Sequence, residues 1–146
     1  MNIYIASDHA GFKLKKQIFD FLSTKHDVID LGPYEYDALD DYPDFIIPAA
    51  KKVSEEKGAK GIIIGGSGQG EAIAANRIKG VRAAMYYGGN IEIVKLSRIH
   101  NDSNILSFGA RFIDFEDASN CIEIWLNESF EGGRHIDRIK KIDELS

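Results

Sequence analysis

Gly61-Ile62-Ile63-Ile64-Gly65-Gly66-Ser67-Gly68-Gln69-Gly70-Glu71-Ala72-Ile73-Ala74-Ala75-Asn76 reads as a strand, a bare loop and a helix. Ile62 to Ile64 form a short apolar run of the kind buried in a sheet. The glycines behind it permit a tight bend, and Ala72 to Ala75 read as the first turn of a helix. Four of the six residues from Gly65 to Gly70 are glycine. Without side chains to cover them, the backbone N–H groups of this loop can approach a ligand and point at negative charge. The loop is suited to an anion.

Spacing excludes two familiar anion-binding loops. A nucleotide-cradling P-loop requires a lysine and then serine or threonine after its last glycine, but Glu71 and Ala72 follow Gly70. The dinucleotide fingerprint requires glycines at the first, third and sixth places; Gly66, Gly68 and Gly70 occupy the first, third and fifth. A carboxylate beside exposed amides suits a different chemistry, in which the base takes a proton from carbon while the amides stabilise the oxyanion. The competing reading is that Glu71 simply occupies a helix first turn, where the dipole favours acids.

The 146 residues fit one domain spanning 1–146, with enough chain for a sizeable core. A net charge of -5 and no run of basic residues argue against broad binding to nucleic acid or a membrane surface, so an anionic substrate needs a local basic cluster. No apolar stretch is long enough to span a bilayer, and Met1 leads directly into an apolar strand, so a cytoplasmic location is expected. The single Cys121 has no partner for an internal disulfide, and Ile122, Ile124 and Trp125 around it indicate a buried helix face. The scattered histidines show no ligand spacing typical of zinc, so no metal is expected.

Outward from the central stretch, apolar strands alternate with amphipathic helices. Ile3 to Ala6 reads as a strand, followed by Ser7-Asp8-His9-Ala10-Gly11 and a helix carrying Leu14, Ile18, Phe21 and Leu22 on one face. Val28 to Leu31 is a second strand. A polar loop from Gly32 to Pro43 leads into a helix opened by Pro43 or Asp44, with Ile46, Ala49, Ala50 and Val53 inward. Val81 to Tyr86 reads as a fourth strand and Asn90 as the cap of a helix reaching about Arg98; Ile105 to Phe108 is a fifth strand. Asp114 to Asn127 is another amphipathic helix, and Gly132-Gly133 precede a basic final helix with Ile136, Ile139 and Ile142. The alternation predicts an α/β fold with a five-stranded parallel sheet covered on both faces. Ligands in such folds bind outside the carboxyl ends of the strands, which would bring Asp8, His9 and Glu71 together.

Other chemistry-bearing residues have two readings each. Asp8 can cap the following helix, and His9 can be an ordinary loop residue or a ligand contact. His100-Asn101-Asp102-Ser103-Asn104 can be a solvated turn, or His100 can be a general acid or base with Asn101 as hydrogen-bonding partner. Arg134 and Arg138 lie four apart on the final helix and suit a bidentate hold on phosphate, although a solvated face is the commoner use of such pairs.

Five motifs taken together, Ser7-Asp8-His9-Ala10-Gly11, Asp41-Tyr42-Pro43-Asp44, Gly66-Ser67-Gly68-Gln69-Gly70 with Ile73-Ala74-Ala75-Asn76, His100-Asn101-Asp102-Ser103-Asn104 and Gly132-Gly133-Arg134-His135 with Arg138, resemble in order those of the type B ribose-5-phosphate isomerase family. The likeness runs nearly end to end, and that family includes isomerases of allose 6-phosphate and galactose 6-phosphate. Many members carry a cysteine base immediately before the glycine loop, where this chain has Gly65. A second branch places a glutamate at the end of the loop, which Glu71 matches.

The resemblance implies a cofactor-independent aldose-ketose isomerase in which Glu71 moves a proton between C1 and C2 of the open-chain sugar phosphate. It assigns furanose opening to His100 with Asp8, sugar contact to Asn101 and Tyr42, and contact with the reacting hydroxyls to Ser67. The amides from Gly66 through Gly68 and Gln69 to Gly70 would stabilise the enediolate, and His9, Arg111, Arg134 and Arg138 would hold the phosphate. It further implies a Rossmann-like three-layer sandwich in a homodimer, or a tetramer of two dimers, whose last helix extends to the partner subunit, so that Arg134 and Arg138 complete the neighbour's site. The leading expectation is interconversion of ribose 5-phosphate and ribulose 5-phosphate. The alternatives are a six-carbon sugar phosphate with the same mechanism, and a noncatalytic phosphosugar-binding protein; retention of Glu71, His100 and Asp8 together favours catalysis.

Overall fold

Strands β1 (Asn2–Ser7), β2 (Asp27–Asp30), β3 (Lys60–Gly65), β4 (Ala83–Tyr86) and β5 (Ile105–Gly109) form one sheet in the computed structural model, which describes residues 1–146. The spatial order is β2-β1-β3-β5-β4, and every pairing is parallel. Helices α1 (Phe12–Leu22), α2 (Pro43–Glu55), α3 (Gln69–Ala75), α4 (Glu92–Ile99), α5 (Phe115–Asn127) and α6 (His135–Glu144) complete the chain.

Strand alternation sorts the core into two layers. Ile3, Ile5, Ile62, Ile64, Leu106 and Phe108 face α1, α4 and α5, where Ile18, Val94, Ile122 and Trp125 meet them. Tyr4, Ala6, Ile63 and Ile105 face α2 and α3, against Ile46, Ala49, Val53 and Ala75. Each fully buried aliphatic side chain contributes roughly 1.5–3 kcal/mol through removal from water. This is the three-layer α/β sandwich expected from the sequence.

The differences from expectation have local causes. The fourth strand begins at Ala83 and not at Val81, because the backbone before it bonds to side chains: the Arg82 N–H donates to Asn104 Oδ1 at 2.8 Å. Asn76 then clamps Ala83 through both its amide groups. Helix α3 starts at Gln69, three residues before the apolar run that signalled it. Gly68, at φ +80, makes the left-handed turn ahead of it, a conformation that L side chains avoid. On α1, Lys15 is buried with the apolar residues, its ammonium held by Asp30 Oδ1 at 2.7 Å and by the Pro33 carbonyl at 2.6 Å.

The order in which successive strands are laid down reverses between β1 and β3, the usual position of a ligand crevice. Helix α6 leaves Ile136 and Ile142 42% and 50% exposed. No helix is long and apolar enough to cross a membrane.

Candidate active site

Glu71 lies in the first turn of α3 and is only 3% exposed. It reaches back over the end of β3. A Cβ placed on Gly65 would fall 1.9 Å from Glu71 Oε1 and 2.0 Å from its Cδ, so the carboxyl group occupies the volume that any side chain at position 65 would need. Burial pushes the Glu71 pKa up; its own backbone N–H opposes this, and the charge of Asp8 adds to it. A carboxylate so placed is a stronger base than a solvated one.

The glycine loop is strapped to the end of β5. The Ala110 N–H donates to the Gly65 carbonyl at 2.8 Å, the Arg111 N–H to the Gly66 carbonyl at 3.1 Å, and Ser107 Oγ to the Gly68 carbonyl at 2.7 Å. Ser67 Oγ accepts the Gln69 N–H at 3.3 Å. These bonds hold the carbonyls away from the open side. The Arg111 guanidinium lies 3.0 Å from where a Gly66 Cβ would stand, and the Tyr42 ring closes over Gly70 in the same way at 2.7 Å.

Asp8, after β1, is 8% exposed and accepts the Gly11 N–H at 3.1 Å. His9 beside it has a partner that sequence reasoning missed. Asp40 Oδ1 lies 2.7 Å from His9 Nδ1 and accepts the His9 backbone N–H at 3.0 Å. The hydrogen bond from Asp40 raises the His9 pKa against the effect of desolvation, which favours an imidazolium suited to an anionic ligand. Asp40 is thirty-one residues from His9, so only the acidic composition of the 32–43 loop hinted at the pair. Asp8, His9, Tyr42, the loop from Gly66 to Gly70, Glu71 and Arg111 thus share the carboxyl end of the sheet.

The remaining candidates lie at the other end. His100 caps the C-terminus of α4, and Asn101 precedes β5. Arg134 is the N-cap of α6 and Arg138 lies one turn further on, both exposed. The Glu131 N–H donates to the Ile99 carbonyl at 3.0 Å and draws the start of α6 against the end of α4. The two groups of residues are separated by the length of the sheet, roughly 15 Å at about 3.3 Å per residue. One chain does not bring His100, Asn101, Arg134 and Arg138 to Glu71.

The pattern that defines the ribose/galactose isomerases matches residues 3–142. The chain belongs to the ribose/galactose isomerase family. It is 44% identical to a probable ribose-5-phosphate isomerase B of Mycoplasma genitalium over 143 residues, covering 97% of this chain and 93% of that one. It is 37% identical over 146 residues to the ribose-5-phosphate isomerase B of Mycobacterium tuberculosis, covering 99% of this chain and 89% of the relative. The crystal structure of the Mycoplasma genitalium ribose-5-phosphate isomerase B with bound ribulose 5-phosphate superposes with a TM-score of 0.93, at 43% identity, over 99% of this chain and 95% of that one. Each half of the candidate site carries groups with the chemistry to contact a sugar phosphate. Cys121 is 0% exposed with its thiol pushed up to about 12 by burial, so it is a core residue and offers no thiolate to the site.

Proposed function

We propose that this aldose-ketose isomerase interconverts ribose 5-phosphate and ribulose 5-phosphate through an enediolate, with Glu71 as the base. The observation that carries the reading is the Glu71 carboxyl group, buried at the mouth of the amide loop with its pKa raised. In the forward direction the partner subunit's His100, assisted by Asp8 of this chain, opens the furanose ring. Glu71 then takes the C2 proton, the C–H electron pair enters the C1–C2 double bond of the enediolate as O1 takes up the charge, the O2 proton passes to O1, and the same carboxyl returns its proton to C1. Ser67 and the Gly66 to Gly70 amides stabilise the oxyanion. Asn101 and Tyr42 hold the sugar. His9, Arg111, Arg134 and Arg138 hold the phosphate, so that binding energy far from the reacting carbons fixes their orientation. Purified protein should form ketose from ribose 5-phosphate with kcat/KM at least about tenfold above that for allose 6-phosphate. The reverse order would transfer the assignment to a six-carbon sugar.

The reading includes a homodimer with shared sites. Two features support it: the candidate residues divide between the two ends of the sheet, and α6 carries exposed isoleucines beside Arg134 and Arg138. A symmetric pair could set the His100 end of one copy against the Glu71 end of the other. Mixing Glu71→Gln and Arg138→Ala proteins, each inactive alone, tests this. Half of the randomised dimers would be mixed and each would have one intact site, so recovery to about a quarter of wild-type activity is expected. No recovery after proven subunit exchange would count against shared sites.

A further inference from the structure

His135 is 4% exposed, the only buried residue of α6, and its ring is stacked on that of His100 with centroids 4.5 Å apart and planes 20° from parallel. Its Nε2 is buried and has no hydrogen-bond partner. The nearest acid, Glu131, stands 4.0 Å away. We propose that His135 is a positioning residue for furanose opening, its buried ring serving as the flat platform that holds His100; this rests on the reading of His100 as the ring-opening group.

Three observations support the platform. First, the backbone that carries His100 is pinned and leaves the ring orientation to be set by what it touches. Arg98 donates to Asp102 Oδ1 at 2.8 Å and to the Ser103 carbonyl at 2.6 Å, while Trp125 Nε1 donates to Ser103 Oγ at 2.8 Å. Second, an imidazole without a partner for Nε2 contributes shape and π surface, not a hydrogen bond. Third, burial lowers the His135 pKa, helped by Arg134 and His100. That shift favours the uncharged form of the His135 ring against His100. Ligand atoms of His100, Glu131 and His135 lie within 4.8 Å of one another, but face-to-face rings do not aim their in-plane lone pairs at a common ion, so the group reads as a stack.

The test separates ring opening from proton transfer. Ribulose 5-phosphate has its C5 oxygen esterified and cannot form a furanose, so exchange of its C1 hydrogen with deuterated water needs the base and not ring opening. Isomerisation of ribose 5-phosphate needs both. His135→Leu, which fills the volume without a flat face, should lower kcat/KM for ribose 5-phosphate on the order of tenfold or more while ketose exchange stays within about threefold. His135→Phe restores the flat face and should bring ribose 5-phosphate turnover back to within about threefold of wild type. Equal losses in both assays for His135→Leu, no loss in either, or a selective loss in His135→Phe would each overturn the proposal. His100→Ala is measured alongside. If that variant spares ribose 5-phosphate turnover or loses exchange, the ring-opening role of His100 fails; if it shows the selective loss and His135→Leu does not, only the platform fails.

Discussion

Glu71→Gln is expected to lower kcat about 10³-fold, equivalent to about 4 kcal/mol in the barrier, with KM within a few fold of wild type. The amide keeps the volume and polarity of the carboxyl group but cannot accept the carbon-bound proton, so the interaction lost is one made in the transition state. Isomerisation and deuterium exchange into ribulose 5-phosphate should fall together, since both pass through the same proton transfer. The fold should not suffer. Burial raises the Glu71 pKa, so this group favours the folded state most in its neutral form, at low pH, and that contribution is lost as pH rises through the folded pKa. A neutral amide in its place should leave thermal stability at pH 7 equal to or above wild type. Turnover within tenfold of wild type would remove Glu71 from its role.

Gly65→Ala is the second large effect, and it acts on the same carboxyl group without touching it chemically. The added methyl falls 1.9 Å from Glu71 Oε1. The obstructing atoms are the far end of a flexible side chain, so Glu71 swings aside and the backbone stays in place. Displacement of a base by an ångström or more costs on the order of 10²-fold in kcat. Outside its pocket Glu71 loses the desolvation that raised its pKa, so the acid limb of the kcat/KM profile should shift to lower pH than in wild type. Adding Glu71→Gln to Gly65→Ala should cost little more than Glu71→Gln alone, because both changes disable one group. Independent, multiplicative losses, or an unmoved acid limb, would show that Gly65 acts through something other than Glu71.

Much of the fold was legible because its signals are local. Strand runs such as Ile62-Ile63-Ile64 and helical faces such as Ile46, Ala49, Ala50 and Val53 lie within single elements, and their alternation admits few topologies. Boundaries were less legible where side-chain bonds from neighbouring segments decide them, as Asn104 and Asn76 do at the start of β4. The order of β5 between β3 and β4 has no local signal at all. In the site, Asp8, His9 and Glu71 could be grouped from the rule that ligands bind at carboxyl ends of strands. The Asp40 partner of His9 and the burial of His135 depend on contacts between distant segments. So does the placement of His100 at the opposite end of the sheet from Glu71, which periodicity does not report.

Cys121 lies sealed on the buried face of α5 with its thiol pushed up to about 12, and the proposed base is a carboxyl group. Peroxide and alkylating agents attack thiolates, and this chain presents none at its reaction centre. A carboxyl base in place of a thiol predicts turnover that withstands peroxide and alkylating agents.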